Sequence, residues 1–227
     1  IIVLGATGSI GQSTLDIIEN CNDKFEVVGV SANLNKKKLS EICKKFEPKN
    51  ILLTDKNVQN NLQKSEFNED AKFFFGNDLY QEFFDIDFDL VVNGISGFAG
   101  IKPTFVVIEK GKDIAIANKE TIVSGGRLII EKSKLSGSKI IPIDSEHNAL
   151  FQLMKNYELH EIDKITLTAS GGPFRRDTYK ELSKRKYSEA LNHPTWIMGT
   201  KNTIDSASLM NKGLEVIELS LIHISEP

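Results

Sequence analysis

Cysteine is nearly absent: the 227 residues include 2, Cys21 and Cys43. That is too few for a disulfide framework or a thiolate metal cluster, and both lie in stretches with helical patterning, so buried or idle thiols are expected. One-sided charge is missing too. With 28 basic and 31 acidic residues the net charge is -3, which gives no broad basic field to draw the chain to nucleic acid or an anionic membrane. Any anionic substrate must then be held by local groups. No run of about 18 apolar residues suggests a membrane span, and the first residues lack the basic and apolar regions of a secretory signal. The chain opens on "IIVLG" without methionine, as though inside a strand, so a few residues are expected to precede it. Neither an internal repeat nor a low-complexity segment is visible.

What is present is a chain 40% hydrophobic, enough to bury the core of one large domain, or of one domain and part of another. Over residues 1–144, short β-branched runs alternate with longer amphipathic segments, the pattern of βαβ units and a parallel sheet. Strands are expected at 1–4, 25–30, 50–54, 72–75, 89–93, 113–117 and 139–143, and helices at 10–20, 36–46, 102–110 and 119–133. The acidic, Asn/Gln-rich stretch 56–88 reads as surface helix and loop without function. Past residue 150 the rhythm changes: a strand is expected at 164–170, then "GGPFRR", "NHPTWIMGT" and a helix over 206–218. A second domain is expected to begin near residue 145.

"LGATGSIGQSTLDII" follows the first strand directly and spaces its glycines as Gly5, Gly8 and Gly11. Glycine permits the tight turn and close approach to a pyrophosphate, and the following helix presents free N–H groups and its positive dipole end. Thr7 and Ser9 add hydroxyl donors. After the second strand the chain reads "VGVSANLNKKK", with no acid for a ribose 2′-hydroxyl; Ser31, Asn33 and Asn35 can instead hydrogen-bond a 2′-phosphate, which favours NADP over NAD. Lys36, Lys37 and Lys38 are either phosphate contacts or a solvated helix face.

"PIDSEHNAL" ends an apolar run in two acids, Asp144 and Glu146. Strand carboxyl ends in open α/β sheets are where ligands bind. If extended, the two acids share a face, and carboxylates about 4 Å apart repel by roughly 4 kcal/mol at an effective dielectric of 20, so they need a cation or a shared proton. An all-oxygen set suits Mg²⁺ or Mn²⁺. On this stretch alone, a metal site and a helix N-cap both remain open.

Taken in order and spacing, "GATGSIG", "ANKE" at 117–120, "PIDSEHNA", "ASGGPFR" at 169–175, "HPTWIMG" at 193–199 and "IDSASLMNKGLEVIE" at 204–218 resemble the 1-deoxy-D-xylulose 5-phosphate reductoisomerase family. The resemblance covers residues 1 to about 218. It implies an NADPH-binding, Rossmann-like, mainly parallel α/β domain over 1–144, followed by part of an α+β catalytic domain over 145–218. It also implies an NADPH- and divalent-metal-dependent rearrangement and reduction of a small phosphorylated ketose, giving 2-C-methyl-D-erythritol 4-phosphate in non-mevalonate isoprenoid synthesis. Its implied metal ligands are Asp144, Glu146 and Glu215. Cofactor contacts fall on Thr7, Gly8, Ser9, Ile10, Asn33, Asn35, Asn118, Glu120 and Gly199. Substrate contacts fall on Lys119, Ser145, Ser170, His193, Trp196, Ser206, Asn211 and Lys212, with Lys119 and His193 also catalytic and Trp196 on a mobile flap. His147 carries no implied role beyond a helix start or packing.

The ending "LSLIHISEP" departs from the family and resembles translated adapter or vector read-through, so residues 219–227 are expected to be foreign and the chain, cut short, inactive. The full-length family protein is expected to be a homodimer in the bacterial cytoplasm, with a plastid as the alternative. Semialdehyde- and homoserine-type dehydrogenases share the glycine turn but lack the triple-acid set. A non-catalytic nucleotide-binding module would have no reason to keep Asp144, Glu146, Glu215 and Lys119 together.

Overall fold

The computed structural model describes residues 1–68, 70–195 and 199–224, which form two compact units, 1–144 and 145–227. The first unit is built on β1 (Ile2–Leu4), α1 (Ser9–Asn20), β2 (Gly29–Ala32), α2 (Lys36–Phe46), β3 (Asn50–Leu53), β4 (Lys72–Phe75), α3 (Tyr80–Phe83), β5 (Leu90–Asn93), α4 (Ile101–Glu109), β6 (Asp113–Ile116), α5 (Lys119–Ser136) and β7 (Ile140–Pro142). The strands join in the order β4-β3-β2-β1-β5-β6-β7, and every pairing is parallel. Central strands of such a sheet are covered on both faces, which is why "IVL", "ILL" and "LVVN" are continuous apolar runs rather than alternating ones. Strand order reverses between β1 and β5, and the crevice at that switch is where an open α/β sheet receives its ligand.

Most elements stand where periodicity puts them, but the second strand lies at 29–32 rather than 25–30. Gly29 and Val30 pair with Ile2 and Val3, so the register with β1 selects the later residues. The stretch 56–88 is not simply surface. It contributes β4 and α3, and Phe67, Phe74, Tyr80, Phe83 and Phe84 are buried. Those aromatics bury enough apolar area to outweigh the polar composition between them. Cys43 is fully buried, and burial pushes its thiol up to about 12, so it is not a thiolate at neutral pH.

The second unit contains α6 (Ser145–Met154), α7 (Tyr179–Leu182), α8 (Tyr187–Ala190), α9 (Thr200–Ala207) and α10 (Met210–Leu219), followed by a π-helical turn over Ser220–Ile224. Residues 164–170 form no strand; among the described residues of this unit no segment offers a ladder partner, and alternation alone does not make a strand. The expected helix 206–218 is two helices. Leu209 adopts φ 61 in the left-handed region, which ends α9 and restarts the chain as α10. Ser206 is therefore on α9, whereas Asn211 and Glu215 remain i and i+4 on α10. Among the described residues no helix is long and apolar enough to cross a membrane.

Candidate functional site

In the first unit a cavity of about 600 Å³ opens at the carboxyl ends of the strands. Gly5, Thr7 and Gly8 line it from the turn after β1, Ser31, Ala32 and Asn33 from the end of β2, and Thr54 from the end of β3. Asn77 and Tyr80 follow β4, and Gly94, Ile95, Ser96, Phe98, Ala99 and Lys102 follow β5. Gly5 sits at φ +68, and a methyl added at Gly11 would lie 2.4 Å from the Gly5 carbonyl oxygen and 2.5 Å from Ala6 Cα. The turn thus packs backbone on backbone, bringing the start of α1 against the strand. Ser9, Ile10 and Gly11 open that helix, where three N–H groups have no intrahelical acceptor. Ser9 and Ile10 supply these donors without lining the cavity by their side chains.

Some expected cofactor contacts also serve the fold. The Ser31 hydroxyl accepts the Gly5 N–H at 3.2 Å. Asn35 caps α2, its Oδ1 accepting the Lys38 N–H at 3.1 Å, and it does not line the cavity. Asn33 does; its Oδ1 accepts from Thr54 Oγ1 at 3.0 Å, a bond that uses neither of its amide N–H donors. Asn118 is buried, caps α5 by accepting the Thr121 N–H at 3.1 Å, and donates through Nδ2 to the carbonyls of Ile95 and Gly97. The side chain is a brace for the β5–α4 turn rather than a free ligand contact. Asn118→Ala should lose about 2–4 kcal/mol, one cap plus two orphaned carbonyls, read as a fall in thermal midpoint. Glu120 stands half-buried in the first turn of α5.

Lys119 and Asp144 follow the neighbouring strands β6 and β7, and Lys119 Nζ meets Asp144 Oδ1 at 2.9 Å. Lys119 is 7% exposed, so its charge sits in a weakly screened place and holds Asp144 at the end of the unit.

In the second unit, Asp144's expected partner Glu146 is not extended: it lies in the first turn of α6, because the chain turns into a helix at Ser145. Glu146 and Glu215 bring one oxygen each within 4.8 Å. A single ammonium bridges them, Lys212 Nζ lying 2.7 Å from Glu146 Oε1 and 2.6 Å from Glu215 Oε2. Asn211 Nδ2 donates to the other oxygen of Glu215, which is 1% exposed. Ser145 Oγ donates to Glu146 Oε2 at 2.5 Å. Burial alone would raise the Glu146 carboxyl, but the hydrogen bonds from Lys212 and Ser145 outweigh it and hold it below its usual value. Two converging carboxylates are a hard-cation donor set.

A second cluster gathers hydroxyls. His193 Nδ1 accepts the Thr195 N–H at 3.2 Å, which leaves Nε2 to donate to Ser170 Oγ at 3.1 Å. Ser170 Oγ also accepts the Gly172 N–H at 3.3 Å and lies 3.5 Å from Ser206 Oγ. The expected substrate contacts are thus divided: Ser170, Ser206 and His193 converge, while Asn211 and Lys212 face the carboxylates. Gly199 stands at the N-cap of α9, and Trp196 lies outside the described residues.

His147, one residue from Glu146, is buried; its Nδ1 lies 3.1 Å from buried Glu218 on α10, and its Nε2 is 2.8 Å from His223. Burial and the neighbouring His147 pull His223 down to about 4. Its folded pKa is below the unfolded value near 6.5, so the unfolded chain takes up the proton first. Stability should therefore fall as pH is lowered from about 6.5 toward 4, and His223→Gln should flatten that slope in a melting series. Nothing in the sequence marks this cluster, since its members come from α6, α10 and the turn after it. The cavity residues Thr54, Asn77, Tyr80, Phe98 and Lys102 escape sequence reading for the same reason, although each follows the end of a strand.

These two sites can be set beside known proteins. The family profile described as 1-deoxy-D-xylulose 5-phosphate reductoisomerase matches residues 1–126, and the one described as that enzyme's C-terminal domain matches residues 140–223. A 1-deoxy-D-xylulose 5-phosphate reductoisomerase of Thermoanaerobacter pseudethanolicus is 44% identical over 100% of this chain, and one of Clostridium kluyveri is 47% identical over 96%. The chain spans 59% and 57% of the length of those relatives. A solved DOX-P reductoisomerase in complex with NADPH, fosmidomycin and magnesium superposes with a TM-score of 0.88 at 36% identity, covering 99% of this chain and 58% of its own. The Zymomonas mobilis enzyme in complex with NADPH gives 0.85 at 40% identity, covering 96% and 56%. Both halves of the sequence, and the glycine turn and acid pair within them, lead to one conclusion: the chain belongs to the 1-deoxy-D-xylulose 5-phosphate reductoisomerase family.

Proposed function

We propose that the chain carries the cofactor- and metal-binding part of an NADPH-dependent reductoisomerase that converts 1-deoxy-D-xylulose 5-phosphate to 2-C-methyl-D-erythritol 4-phosphate. The observation that carries this reading is the convergence of Glu146 and Glu215 on one ammonium, two residues along the chain from Asp144. We assign residues 1–144 to the cofactor and 145–218 to metal and substrate, with residues 219–227 supplying no catalytic group.

Asp144, Glu146 and Glu215 would hold Mg²⁺ or Mn²⁺, and their all-oxygen chemistry fits such an ion. When bound, the cation acts as a Lewis acid that stabilises charge developing on the substrate's carbonyl and hydroxyl oxygens during carbon–carbon cleavage and rejoining. The chain's own groups do the rest. The N–H groups at the start of α1 would hold the NADPH pyrophosphate. Lys119 pairs with Asp144 and, as a buried cation, favours negative charge on a substrate oxygen. Ser170 and Ser206 offer hydroxyls to the substrate phosphate, and His193, as the Nε2–H tautomer, orients Ser170 by donating to its Oγ. When bound, NADPH would supply the hydride that reduces the rearranged aldehyde, with the proton for the new hydroxyl drawn from solvent.

The test is NADPH oxidation on adding 1-deoxy-D-xylulose 5-phosphate and Mn²⁺, run on this chain and on the chain extended through the remaining length of its curated relatives. Substrate-dependent oxidation by the extended chain supports the reading. Its absence there, with NADPH demonstrably bound, sinks it.

A further inference from the structure

Among the described residues, the cavity of the first unit has one charged side chain in its lining, Lys102, and no acid. The lysines that follow β2 do not line it; Lys38 faces a separate shallow groove with Gln12 and Asp16. An NADPH site differs from an NADH site in one demand, the recognition of a phosphate on the adenosine ribose. Asn33 and Thr54, at the ends of β2 and β3, are neutral: they can orient that phosphate but not offset its charge.

Lys102 also stands where local stability would not put it. It is the second residue of α4, and a cation in the first turn adds to the positive end of the helix dipole. Its side chain is exposed rather than packed, so no burial explains the position. Asp78, whose carboxylate feels the Lys102 charge, is already hydrogen-bonded by Lys56 at 3.0 Å. A residue that breaks a local rule without a local gain is a candidate for ligand binding.

We propose that Lys102 is the cation that selects the 2′-phosphate, so that preference for NADPH over NADH comes from α4 rather than from the segment after β2. The proposal rests on reading the cavity as the NADPH site. Its chemistry is simple: an ammonium hydrogen-bonds a phosphate dianion that NADH does not carry.

The experiment measures dissociation constants for NADPH and NADH by nicotinamide fluorescence, at one fixed ionic strength, on the unaltered chain, Lys102→Met and Lys102→Arg. Lys102→Met should weaken NADPH by about tenfold to a hundredfold, the worth of a charged hydrogen bond, and leave NADH within about twofold. Lys102→Arg should keep most of the NADPH affinity. Equal weakening of both nucleotides would show that the ammonium serves the pyrophosphate or the fold, and would overturn the proposal, as would no change in either. Failure of the unaltered chain to bind NADPH would overturn the reading of the cavity and the proposal with it.

Discussion

Glu215→Gln is expected to lower the Mn²⁺ affinity of the chain by at least about 100-fold, since even groups that only support a metal ligand are worth tenfold to a hundredfold. The same substitution should leave the fold in place. Glutamine keeps the length and shape of glutamate, and Lys212 retains Glu146 at 2.7 Å, so the ammonium is not left alone in the interior. A cost of about 1–2 kcal/mol is expected. Glu215→Ala is a different experiment: it opens space at a site 1% exposed and removes a buried charge from its partner, which typically costs about 3–5 kcal/mol. Titrating the free Mn²⁺ resonance against each variant, with a melting curve beside it, separates the two effects. Equal Mn²⁺ affinity for Glu215→Gln and the unaltered chain would remove Glu215 from the ligand set.

Gly11→Ala should cost about 3 kcal/mol or more, the upper end of overpacking penalties. Nothing around the added methyl can yield cheaply, because its nearest neighbours are the Gly5 carbonyl and the Ala6 main chain rather than side chains. The turn would have to open, which moves the start of α1 away from the strand end and should abolish NADPH binding. Gly8→Ala provides the contrast: a methyl there has one neighbour, the Gly5 oxygen at 3.3 Å, and its backbone lies at φ -82, open to any residue. Its melting temperature should stay within a few degrees, with NADPH binding weakened only through crowding of the cofactor. If both variants melt alike, the backbone-on-backbone packing at Gly11 is not what fixes the turn.

The sequence carried much of this fold openly because a parallel sheet covered on both faces needs uninterrupted β-branched strands, and each crossover helix needs a stripe. "IIVL", "NILLT" and "DLVVN" could hardly be anything else. Residues 164–170 misled because alternation describes a strand's surface while a partner decides its existence. Leu209 broke a helix where no glycine or proline gave warning. The acids at 144 and 146 were legible as a pair, and a helix start there was one of the two readings left open; the sequence did not decide between extended chain and helix, since that depends on where α6 begins. Asn118 shows the limit most clearly: family likeness made it a cofactor contact, yet both of its amide hydrogens are committed to carbonyls 21 and 23 residues earlier. Lys102 lay in plain view as one more surface lysine until the crossover brought α4 to the cavity.

The last strand of the sheet has a consequence for how chains meet one another. On either side of β7, the Lys139 carbonyl accepts the Ile114 N–H and the Ile143 N–H donates to the Ile116 carbonyl, so residues 139 and 143 face β6. Alternate residues of a parallel strand bond opposite neighbours, so the nitrogen of Pro142 points away from β6, toward the side where an eighth strand would dock. Proline has no hydrogen to give there. A rim strand of three residues with a missing donor is a poor template for growth of the sheet, and guards the chain against edge-to-edge polymerisation. Replacing Pro142 with threonine would restore that donor, and light scattering on concentrated protein would register the loss of the guard.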